Sequence, residues 1–159
     1  MISQAVFVLI FAAAIGSGLV AGIFFAFSSF VMAALGRLPS DHGIAAMNAI
    51  NVMVINPMFF LAFFGTAALC VAASAGVALR WTPTGGTLVL LASVIYLAGC
   101  IGVTMVRNVP LNNALAAATL GTPEAAALWT RYLGEWTFWN TVRTVAPVVS
   151  AVLFTVALL

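Results

Sequence analysis

The sequence predicts an all-α integral membrane protein: a four-helix up-down bundle whose helices extend beyond the bilayer at one end. Three observations predict it. Of the 159 residues, 65% are hydrophobic and only 5% are charged, whereas a soluble domain carries about a quarter charged residues; this chain cannot cover a surface facing water. Four apolar stretches, at about 5–35, 57–79, 86–106 and 136–158, each reach the roughly 20 helical residues that cross about 30 Å of hydrocarbon. The connections are short, so consecutive helices run antiparallel, and residues 1–159 form a single transmembrane domain.

The first stretch is uncharged and overshoots the membrane, being about 46 Å long if helical throughout. Within it Gly18 and Gly22, with Gly16 nearby, form a small-residue stripe expected to pack inside the bundle, with a dimer contact as the alternative. A polar segment follows, "PSDHGIAAMNAINVMVINP" at 39–57. Ser40 or Asp41 suits a helix N-cap, and the helix should run toward Ile55 and break near Pro57. The second stretch closes at Arg80, the turn "RWTPTGG" follows, and the third stretch closes at Arg107. A second polar segment spans 107–143, with a turn at Gly121, Thr122 and Pro123 and a new helix after it. In an antiparallel bundle the first and third loops share an end, so the two polar segments meet there. That end holds more arginines than the other, which has only Arg80; a positive-inside reading puts it on the cytoplasmic side of the cell membrane.

Several function classes fall away. Net charge is +2 with no lysine and singly scattered arginines, so there is no nucleic-acid surface. Cys70 and Cys100 lie inside apolar runs and read as small buried hydrophobes. The N-terminus has no basic region, so no cleavable signal peptide is expected. Paired carboxylates, glycine-rich phosphate loops and nucleophile triads are lacking.

What remains is concentrated polarity. Trp129, Tyr132, Trp136, Trp139 and Arg143 are spaced 3, 4, 3, 4, and Asn140 follows Trp136 by four, so all share one helical face. An interfacial aromatic belt is the bland reading of Trp129 and Tyr132. Arg143 starts only 16 residues before the last one, about 24 Å of helix, so it sits at or inside the hydrocarbon edge; an arginine there is a functional candidate, with snorkelling as its alternative. Asn48 and Asn51 are three apart, and Asn108 and Asn112 four apart across Pro110. They suit either an inter-helix hydrogen-bond network or a pocket for a carbonyl or phenol. His42 is the only histidine and titrates near neutrality; a lone histidine near a helix start reads first as a capping or interfacial residue and second as a catalyst. No cofactor is predicted; haem with one histidine ligand, or copper on His42, Met47 and Met53, are the weaker alternatives.

The segments "GIFFAFSSFVMAAL" (22–35), "GIAAMNAINVMVINPMF" (43–59), "RNVPLNNAL" (107–115) and "WTRYLGEWTFWNTVRT" (129–144) resemble the anthrone-oxygenase-like family of small membrane proteins, in order and over nearly the whole chain. The resemblance implies a four-helix membrane bundle and, from members that oxidise anthrones to anthraquinones, a membrane-bound monooxygenase acting with O2 on a lipophilic phenol without an evident metal or flavin. By that resemblance His42, as the candidate base, and Arg143 are the expected catalytic residues, and Asn108, Asn112, Trp136, Trp139 and Asn140 the substrate-binding ones; Asn48 and Asn51 join the substrate-binding set on their own spacing. Members often carry histidine directly after the tryptophan–asparagine pair; here Thr141 stands there. The expected partners are a lipophilic aromatic molecule, O2 and the bilayer, with self-association as a homo-oligomer left open. A non-enzymatic membrane protein that binds or transports a quinone is the alternative.

Overall fold

A computed structural model describes residues 3–79 and 83–159; Arg80 and the start of the turn expected after it lie outside the described residues. Five helices carry the fold: α1 (Gln4–Leu35), α2 (Ser40–Met53), α3 (Pro57–Leu79), α4 (Gly85–Ala116) and α5 (Pro123–Ala157). All but α2 are long and apolar enough to cross a membrane, and among the described residues there is no strand. The chain is an integral membrane four-helix bundle in which the second leg is broken into α2 and α3.

The break follows from one side chain. Asn56 donates from Nδ2 to the Met53 carbonyl (2.8 Å) and accepts at Oδ1 from the Phe59 N–H (3.0 Å). It therefore satisfies a free carbonyl at the end of α2 and a free N–H at the start of α3. Pro57 at the first position of α3 has a fixed φ and no N–H to leave unpaired.

Neither Ser40 nor Asp41 caps α2. Pro39 holds the cap position with no side-chain bond, and Asp41 instead accepts from the Gly121 N–H at 3.0 Å. That bond ties the start of α2 to the α4–α5 loop. Gly121 has φ +79°, a left-handed turn that a residue with a Cβ adopts only under strain. Thr122 then caps α5, its Oγ1 accepting from the Ala125 N–H (3.2 Å).

α4 does not stop at Val106. It continues ten residues further, to Ala116, through Pro110. Two π-helical stretches, Leu97–Gly102 and Thr104–Asn108, make this feasible. The Val109 N–H bonds the Thr104 carbonyl, five residues back, and the widened turn takes up the proline ring and its missing donor. α1 contains a similar stretch at Phe27–Val31. α5 is one helix of 35 residues, about 52 Å long, and begins well before the expected span.

Two hydrophobic clusters hold the bundle. One, built around Ile10, Cys70, Val89, Tyr96, Cys100 and Phe154, fills the half with the termini. The other gathers Met32, Ile44, Met47, Leu115, Trp129 and Trp136 at the polar end. Buried hydroxyls bond across helices in the first half: Ser93 to the Cys70 carbonyl (3.0 Å), Tyr96 to the Phe63 carbonyl (2.9 Å) and Ser150 to the Ala92 carbonyl (2.9 Å). Of the glycines in the first stretch only Gly16 lies where the bundle packs. Gly18 and Gly22 face outward with nothing near their missing Cβ. Close contact is made instead by Gly16 against Thr66, Gly76 against Val6 and Gly99 against Ala146, because the apolar faces that meet are fixed by the larger side chains on either side.

Candidate functional site

α5 supplies the inner wall. Trp129, Tyr132, Trp136, Asn140 and Arg143 are all buried on one face, as their spacing requires. Trp129 stacks on Tyr132 (centroids 5.7 Å, 17° apart) and Tyr132 on Trp136 (5.9 Å, 21°). These rings line the protein interior and form no interfacial belt. Trp139 falls off the stripe. It is half-buried and lies under the Arg107 guanidinium, 4.6 Å from its ring centre.

Arg143 is 7% exposed. Its Nε donates to Asn140 Oδ1 (3.0 Å) and a terminal nitrogen donates to Thr104 Oγ1 (3.2 Å). Its guanidinium carbon is 4.0 Å from the Phe24 ring centre and 5.0 Å from that of Trp136. Among the described residues the one ion pair is Arg131–Glu135, at the surface, so Arg143 has no carboxylate partner. A guanidinium has five N–H donors, and two are used here. Asn140 holds the arginine in place: its Nδ2 donates to the Phe24 carbonyl and to Ser28 Oγ, both at 2.7 Å. Ser28 lies in the π-helical stretch of α1, and Thr104 opens the second of the two in α4. Both irregular segments thus flank the arginine, a placement common at functional sites.

The asparagines divide between structure and surface. Asn112 Oδ1 accepts from Tyr132 Oη (2.8 Å) and Trp136 Nε1 (2.7 Å), fixing both rings. Asn108 donates to the Trp136 carbonyl (3.2 Å) and keeps a buried Oδ1 without a partner. Asn48 donates to the Leu115 carbonyl (3.4 Å). Its Oδ1, and Nδ2 of Asn51, are buried and unpartnered.

These groups surround a cavity of about 520 Å³, a size that suits a small flat molecule. Arg143, Trp136, Asn112, Asn48 and Asn51 line it, with Phe24, Phe59 and Phe63 supplying apolar wall. It lies at the seam between the two clusters, since Phe24 and Phe63 belong to one and Met47 and Trp136 to the other. A groove of about 740 Å³ between α1 and α3 is lined by apolar residues and Thr66, with no charged group.

Of the residues expected from sequence, Asn108 and Asn140 stand behind the cavity wall as supports, and Trp139 lies away from it. His42 is exposed in the first turn of α2 and does not line the cavity. It is nine residues from Asn51, about 14 Å along the helix. Among the described residues no three of His, Cys, Asp and Glu cluster to hold a metal ion. Sequence reasoning missed Phe24, Ser28 and Thr104. The signals were an aromatic–serine run in "FFAFSSF" and a threonine four residues before Asn108.

No curated protein and no solved structure matches the chain. The anthrone oxygenase family model matches residues 59–153, from the first turn of α3 into the last turns of α5 and including Thr104, Asn112, Trp136, Asn140 and Arg143. With well over half its length matched, the chain belongs to the anthrone oxygenase family.

Proposed function

We propose that this protein is an oxygenase that binds a flat, lipophilic, anthrone-like phenol in the 520 Å³ cavity and oxidises it with O2 without a bound cofactor. The observation that carries the reading is Arg143: a cation buried beside aromatic rings, held by neutral partners, with no acid near it. A buried charge without a counterion is costly. An anion arriving in the cavity, or forming there, offsets that cost. Trp136 and the phenylalanines suit a flat ring system, and the free amide atoms of Asn48 and Asn51 suit its oxygens.

The chemistry asks little of the protein. The phenolic substrate loses a proton beside Arg143 and becomes an electron-rich anion. That anion gives one electron to O2, forming superoxide and a substrate radical. Their recombination makes a carbon–oxygen bond, the peroxide anion takes a proton back from water, and the resulting hydroperoxide loses water as the carbonyl forms. A CH2 group and O2 thus become C=O and H2O. In this reading the proton leaves to water at the polar rim, where Asn113 is exposed, rather than to His42. The same rim faces the cytoplasmic side of the cell membrane.

Among the described residues Arg143 is the one charged residue in the cavity wall, and this lack of a proton acceptor also favours the second reading, a non-enzymatic binder of a quinone. O2 uptake on emodin anthrone by the purified protein separates the two. Uptake above autoxidation, reduced at least tenfold in Arg143→Met and retained in His42→Ala, supports the oxygenase. Stoichiometric ligand binding with no uptake supports the binder. Full uptake in Arg143→Met would sink the role given to the arginine.

A further inference from the structure

We infer that the cavity takes its ligand sideways from the hydrocarbon of the bilayer, through a portal beside the α2–α3 break, and not from water. The inference rests on the cavity being the ligand site. Its rim has two unlike parts. On one side, five wall residues are also exposed: Val52 at the end of α2, Ile55 in the break, Phe60 and Phe64 in the first turns of α3, and Met105 on α4. Their exposure runs from 41% at Phe60 to 69% at Val52, so the cavity opens between them. On the other side, Asn113 and Ala116 near the end of α4 are exposed wall residues, at the polar end.

Helix lengths fix the depth of the first opening. α3 has 23 residues, about 35 Å, slightly more than the hydrocarbon thickness of about 30 Å. Its first two turns, with Phe60 and Phe64, therefore sit just inside the hydrocarbon boundary. Met53 and Met58 beside the break are 73% and 84% exposed, and at this depth an apolar collar of this kind suits contact with lipid. The chemical class of ligand follows. It is neutral while crossing, flat, and dissolved in the membrane, with its acidic hydroxyl ionising only once beside Arg143. Glycosylated or permanently charged relatives of the same ring system are excluded by the route even where they would fit the cavity.

Cys70 and Cys100 are fully buried, so a single introduced cysteine can be labelled selectively. The experiment places the protein in lipid nanodiscs and delivers 1,8-dihydroxyanthraquinone already dissolved in vesicles, following quenching of tryptophan fluorescence by stopped flow. A bulky maleimide on Ile55→Cys, and independently on Met105→Cys, is expected to slow association at least tenfold. The same label on Val94→Cys, which is exposed to lipid away from the cavity, is expected to leave the rate unchanged. Slowing by the label on Asn113→Cys, with none from Ile55→Cys or Met105→Cys, would overturn the lateral route in favour of water. Absence of saturable quenching in the unlabelled protein would overturn the cavity as the ligand site, and the route with it.

Discussion

At Arg143 opposing free energies meet. Burial beside aromatic rings penalises the charge, and two neutral hydrogen bonds and two cation–π contacts offset part of it. Arg143→Met removes the unpaired charge, leaves the buried Asn140 Oδ1 without its hydrogen-bond donor and takes one partner from Thr104. The apolar side chain is expected to stabilise the fold by about 1–2 kcal/mol net while binding of a phenolic ligand is lost; thermal unfolding in detergent, run beside a ligand titration, checks both. A drop in stability instead would mean that the arginine serves the fold. Asn112 has the opposite balance. Asn112→Leu strands the donors of Tyr132 and Trp136, at about 1–3 kcal/mol each, whereas Tyr132→Phe removes donor and demand together and costs about 1 kcal/mol. Chemical unfolding of the two variants and the double variant measures the coupling. The spacing in α5 made the stripe readable, since helical geometry alone aligns Trp136, Asn140 and Arg143. It could not say which asparagines face the cavity, because that depends on partners 20 to 116 residues away.

Between elements, the glycines give the sharpest test. A Cβ on Gly43 would sit 2.6 Å from the Trp129 ring, and that ring is held by stacking on Tyr132. Gly43→Ala should push α2 off α5 and cost about 1–3 kcal/mol, with the loss seen in thermal unfolding. Gly18→Ala meets nothing within 4 Å and should be neutral or stabilising by up to about 1 kcal/mol, from helix propensity. The regular spacing of Gly18 and Gly22 suggested a packing face; of the actual close contacts only Gly16 lay beside it, and Gly76 and Gly99 carry no such spacing. The passage of α4 through Pro110 was equally hard to read. A proline argues for a boundary by its local chemistry, and the π-helical turns that absorb it have no simple signature in residue type.

Over the whole molecule the apolar run lengths were enough to name the architecture, because hydrocarbon thickness is a constraint from outside the chain. They also implied the meeting of the two polar segments, which follows from antiparallel order alone. Orientation is a matter of charge: Arg37, Arg107 and Arg131 are exposed at the polar end, so a reporter fused after Leu159 should be active only outside the cytoplasm. Activity of the reporter inside would reverse the assignment of sides. The placing of the cavity between two separate hydrophobic clusters bears on how the protein comes apart. Each half has its own apolar interior, and where they touch there is a void. The empty protein should therefore melt in two steps, the polar half first. A ligand bridging the void at 100 times its Kd would add about 2.7 kcal/mol, shared by both halves, and draw the two steps into one. The small molecule would then act as mortar as well as substrate, and calorimetry would register its arrival as a gain in cooperativity before any chemistry took place.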